Sequence, residues 1–195
     1  MKKILYSPGE PSGIGPDLII QLCRTTFWID IEIPILCISD PKLLSKRASD
    51  LGKKITIKEI SDISESKANR RNVIQIIHIS DCRNLKYGKL YKSNAQYVLN
   101  NLKFGIDEAL KNKKLALVTG PISKENIISI NNAFSGHTEY IQQRTKSNEV
   151  LMLLASDQLK VALVTTHIPL KKVANKISKE LVISKAITLN HGLKQ

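Results

Sequence analysis

Short blocks of apolar residues recur along this chain, and their periods predict its elements. Lys3 to Tyr6 is a brief apolar run that predicts a strand. A glycine- and proline-rich stretch, SPGEPSGIGP, follows it directly. Pro16 to Arg24 then reads as a helix, with Pro16 at its first position and Asp17 near the positive end of its dipole. Ile31 to Ile38 is strand-like, and Pro41 to Leu51 helix-like up to Gly52. Ile55 to Ile60 and Val73 to Ile79 are isoleucine-rich and predict strands. Asn94 to Lys111 has the firmest helical period, through Ala95, Val98, Leu99, Leu102, Ile106, Ala109 and Leu110. Strands are predicted at Leu115 to Thr119, Val150 to Ala155 and Lys160 to Thr165, and a mostly helical segment at Leu170 to Leu193.

Strands that alternate with helices predict an α/β fold with a largely parallel sheet. In such sheets ligands bind outside the carboxyl ends of the strands. Three unusual loops fall at such ends: SPGEPSGIGP, TGPISKEN and TTHIPL. A fourth unusual segment is SGHTEY, Ser135 to Tyr140.

Composition narrows the function classes. The chain has 195 residues and a formal charge of +13, from 24 lysines and 6 arginines against 17 acidic residues. Arginine, the usual base-reading side chain, is scarce, and the lysines are scattered. The charge is therefore weak support for nucleic-acid binding, and a small anionic substrate fits it equally well. No apolar stretch approaches the ~18 residues of a membrane span, and the first apolar run is too short for a signal peptide. Cys23, Cys37 and Cys82 lack metal-ligand spacing and read as free thiols of a reducing, cytoplasmic compartment.

Each loop carries its own chemistry. Gly9, Gly13 and Gly15 follow a G-x-x-x-G-x-G order, which fits neither the dinucleotide fingerprint nor the Walker loop. From physics alone the segment is either a tight turn or an anion-competent helix start. Glu10 lies within it. Thr119, Ser123, Lys124 and Asn126, at the next strand end, offer polar donors and an ammonium suited to phosphate or carboxylate, or form a plain polar connector. His137 could serve an anionic ligand or proton transfer, and His167 could ligate a metal. Either could equally be structural. His78 reads as a strand residue and His191 as a helix-end residue. No G-x-S-x-G is present, which argues against a serine hydrolase. A self-contained metal site is poorly supported, since such a site takes about three protein ligands.

Taken together, SPGEPSGIGPDL, LVTGPISKENI, FSGHTEYI, VLMLLAS and VALVTTHIPL resemble, in this order and spacing, the 4-hydroxythreonine-4-phosphate dehydrogenase family. GIGP alone is shared with isocitrate and isopropylmalate dehydrogenase relatives. The Glu10-Pro11 variant, GHTEY and TTHIPL are specific. The resemblance implies a two-domain α/β/α architecture like that of those relatives. The first domain is expected over 1–134, and an incomplete second one over 135–195.

The resemblance further implies oxidation of 4-(phosphooxy)-L-threonine with NAD or NADP in vitamin B6 (pyridoxal phosphate) biosynthesis. The β-keto acid formed loses CO2 to give 3-amino-2-oxopropyl phosphate. A divalent metal (Zn, Mg or Co) and a homodimer are implied as well. By resemblance His137 and Thr138 match the substrate-binding pair, and His167 the first metal-binding histidine. The other two metal histidines and the cofactor-binding residues of the family have no counterpart here, so the chain is expected to be truncated and inactive alone. A non-catalytic remnant with a phosphate site is the alternative. An incomplete second domain would also leave apolar strand faces exposed.

Overall fold

The computed structural model describes residues 2–194. They form two compact units, Met1–His137 and Thr138–Gln195.

The first unit is built on five parallel strands: β1 (Lys3–Ser7), β2 (Ile35–Ile38), β3 (Thr56–Glu59), β4 (Val73–Ile77) and β5 (Leu115–Thr119). Their order is β3-β4-β2-β1-β5. Five helices accompany them: α1 (Gly15–Leu22), α2 (Thr26–Asp30), α3 (Pro41–Asp50), α4 (Ala95–Lys111) and α5 (Lys124–Ile128). β2 and β4 are buried almost throughout, as central parallel strands covered on both faces must be. Leu5, Leu36, Ile38, Ile60, Ile77 and Leu115 form one core cluster, with Phe104 of α4 packed against it. α1 adds buried Ile19 and Ile20, and α3 adds Leu43, Leu44 and Ala48.

Chain order and sheet order together locate the switch point. β2 lies on one side of β1, and β5, entered from α4, lies on the other. The connections therefore diverge between β1 and β5, where an open α/β sheet leaves a crevice.

The second unit contains α6 (His137–Thr145, whose first residue closes the first unit), strands β6 (Leu153–Ala155) and β7 (Lys160–Ala162), α7 (Val173–Lys176) and α8 (Lys179–Leu193). β6 and β7 are shorter than their apolar runs suggest. They pair antiparallel across a turn closed by Ser156 N donating to Leu159 O at 2.8 Å. The expected long C-terminal helix is broken at Ile177 and Ser178. The Ser178 hydroxyl accepts the Leu181 amide and so starts α8 afresh. No described residue of this unit is fully buried, and Leu153, Leu154 and Val161 are all exposed.

Two further differences from the sequence reading have local causes. The strand expected from Ile31 begins at Ile35, because Asn69 accepts the Ile35 amide and donates to the carbonyls of Ile31 and Ile33. α2 was not visible as a separate helix; the Thr25 hydroxyl caps it by accepting the Trp28 amide. Among the described residues no helix is long and apolar enough to cross a membrane.

Candidate functional site

The β1–β5 crevice is filled by the protein's own backbone. The Glu10 amide donates to the Pro121 carbonyl at 2.9 Å, and the Gly120 amide donates to Ser7 O at 2.7 Å. Gly9 has φ +80°, and a Cβ there would stand 2.2 Å from Pro121 O. A Cβ on Gly15 would stand 1.8 Å from Pro8 O. Only glycine permits approaches this close. Tyr6 then donates its hydroxyl to Gly15 O at 2.9 Å, pinning the start of α1. The glycine-rich loop thus locks two strand ends together.

Glu10 serves the same lock. It is buried at 5% exposure. One carboxylate oxygen accepts from Ser12 Oγ at 2.8 Å, and the other from Asn126 Nδ2 at 3.3 Å. Asn126, in the TGPISKEN segment, also donates to Tyr91 O at 3.0 Å. Thr119 ends β5 opposite Ser7. Ser123 spends its hydroxyl on the cap of α5, accepting the Asn126 amide at 3.2 Å. Lys124 is exposed at the first position of that helix.

His137 opens α6. Burial, and then the nearby Lys124 ammonium, hold its imidazole below the ordinary histidine pKa. At neutral pH it is therefore uncharged, with one nitrogen donating and one accepting.

Within the second unit, Thr138 and His167 line one cavity of about 280 Å3, together with Thr166, Glu149 and Lys185. His167 is exposed and has φ +56°, a left-handed conformation that costs a non-glycine residue energy. Glu149 is held by the hydroxyls of Ser184 and Thr188, at 2.6 and 2.8 Å, and by Lys185 at 3.0 Å. These partners pull its carboxyl down to about 2, and they tie α8 to the segment that precedes β6. Lys185 also donates to Val150 O at 2.8 Å.

His78 lies one residue beyond β4 and not within it. Its Nε2 stands 3.1 Å from an Asp81 carboxylate oxygen. Asp40, His78 and Asp81 are the one group of metal-capable side chains found together among the described residues, and His167 is not among them. Cys23, Cys37 and Cys82 are free, the first two buried.

Residues 30–195 match the family model described as pyridoxal phosphate biosynthetic protein PdxA. A 4-hydroxythreonine-4-phosphate dehydrogenase from Burkholderia phymatum superposes with TM-score 0.89 at 26% identity, over 99% of this chain and 58% of its own. A putative 4-hydroxythreonine-4-phosphate dehydrogenase from Salmonella typhimurium gives 0.88 at 24%, over 100% of this chain and 60% of its own. A terephthalate 1,2-cis-dihydrodiol dehydrogenase from Burkholderia xenovorans shares the fold more loosely, at 0.65 and 15%, over 95% of this chain and 54% of its own. This chain therefore spans 54–60% of the length of these three structures.

Proposed function

This chain belongs to the PdxA family of pyridoxal phosphate biosynthetic proteins, and from that premise we propose that it carries the substrate-holding part of a 4-hydroxythreonine-4-phosphate dehydrogenase site. The overall reaction is oxidation of the 3-hydroxyl of 4-(phosphooxy)-L-threonine by a nicotinamide cofactor. The resulting β-keto acid then loses CO2 to give 3-amino-2-oxopropyl phosphate. Among the solved structures matched, the one at 26% identity bears this enzyme's name.

The observation that carries the reading is the shared cavity of Thr138 and His167. Thr138 offers a hydroxyl to the substrate. Uncharged His137 offers an N–H and a lone pair without adding a second cation beside Lys124. The substrate phosphate suits a chain of net charge +13. In the family's longer members the working unit would be a homodimer.

The reaction also calls for a divalent metal and NAD or NADP. His167 provides one imidazole where a catalytic ion takes about three protein ligands, and Glu149 is already engaged by three donors. The described donors of this cavity do not complete a metal site. In the glycine-rich loop, a Cβ on Gly9 or Gly15 would meet the Pro121 or Pro8 carbonyl, so these two glycines serve backbone packing. The reading is therefore substrate binding without turnover by this chain alone. A spectrophotometric assay of NADH or NADPH formation with the phosphorylated substrate and Zn2+ or Mg2+ tests it. Formation at the background rate is expected; a rate near that of a longer relative would overturn the inactivity.

A further inference from the structure

We propose that a cavity beside β3 and β4 binds a small anion carrying two or more phosphate groups, through Lys58, Lys67 and Arg70. The cavity measures about 340 Å3, which suits a small ligand. Lys58, Lys67 and Arg70 are its charged lining residues, and no acidic residue lines it.

The fold brings these cations together and fixes the backbone of two of them. β3 pairs in parallel with β4, with Thr56 opposite Val73 and Lys58 opposite Gln75. Gln75 is 5% exposed and spends its whole amide on Lys67. Its oxygen accepts the Lys67 amide at 2.8 Å, and its nitrogen donates to the Lys67 carbonyl at 2.7 Å. Buried Asn69 bonds the backbone of Ile31, Ile33 and Ile35. Buried Trp28 donates its indole N–H to the Arg70 carbonyl at 3.1 Å. The segment 67–70 is thus held against the sheet by three buried side chains, while the charged ends of Lys67 and Arg70 stay available. A ligand meeting such an anchored segment has less ordering to impose than on a free loop.

The charges themselves point to an anion. Among the described residues no carboxylate pairs with Lys58, Lys67 or Arg70. Three like charges around one cavity repel, and an anion between them relieves the repulsion. The arginine fork takes two oxygens of one phosphate, and the lysines act as point charges on a second. Three cations also match a multivalent anion better than a single carboxylate. β3 and β4 lie at the far edge of the sheet from β5, and the cavity shares no residue with that of Thr138 and His167. The proposal therefore stands apart from the substrate reading.

Calorimetric titration with inorganic pyrophosphate at neutral pH and low salt tests it. Saturable binding is expected, weakened at least about tenfold by Lys67→Met or Arg70→Gln. Both side chains are exposed and their anchoring bonds are made by the backbone, so the variants keep the fold, which circular dichroism verifies. Lys172→Met, which removes an exposed charge elsewhere, and Thr138→Val should bind as wild type does. No binding by wild type, equal affinity in the cavity variants, or an equal loss in Lys172→Met or Thr138→Val would overturn the site.

Discussion

His137 is uncharged at neutral pH because burial and the Lys124 ammonium both disfavour its cation. Its folded pKa lies below the ordinary 6.5, while the unfolded chain titrates near that value. The stability linked to this group is thus fully present above about 6.5 and is lost as the pH falls through the folded pKa. An NMR titration of the imidazole should give a midpoint below 6.5. Lys124→Met should raise it only partway, because burial is the larger cause. A wild-type midpoint at or above 6.5 would contradict the assignment. At this scale the sequence marked Thr138 and His167 through their motifs, and the structure places both on one cavity. It did not reveal that His78 leaves the strand. VIQIIHIS reads as one apolar run, and only the pairing with β2 shows that the strand stops at Ile77.

The loop after β1 and the loop after β5 act as one element. Gly9 meets the Pro121 carbonyl, and Glu10 reaches Asn126, more than a hundred residues away in sequence. Gly9→Ala should therefore destabilise the first unit by roughly 3 kcal/mol, from a strained φ and a steric clash. Chemical denaturation reads this as a lower midpoint, and an unchanged midpoint would mean that the interlock is not rigid. The wealth of glycine was visible in the sequence. Its cause was not, because the opposing carbonyls arrive from distant segments that no local spacing encodes. α4 was legible since its period spans 17 residues, with Tyr97, Val98, Leu102 and Ile106 all buried. α2, with five residues, was too short to show a period. The β6–β7 hairpin depends on the Ser156–Leu159 turn, which was not singled out within an α/β pattern.

Across the whole molecule burial is uneven. The first unit holds a continuous core, whereas no described residue of the second is fully buried. With so little of it buried, the second unit is expected to open locally at lower cost than the first. The proposed substrate contact, Thr138, begins that weaker unit. The central proposal is that this chain binds the phosphorylated substrate, with His137 and Thr138 as its contacts. Calorimetric titration of the purified chain with 4-(phosphooxy)-L-threonine, compared with His137→Ala and Thr138→Val, tests it most directly. Saturable binding, weakened at least about tenfold in either variant, is the predicted result. A folded wild-type chain that does not bind, or folded variants that bind as well as wild type, would contradict it.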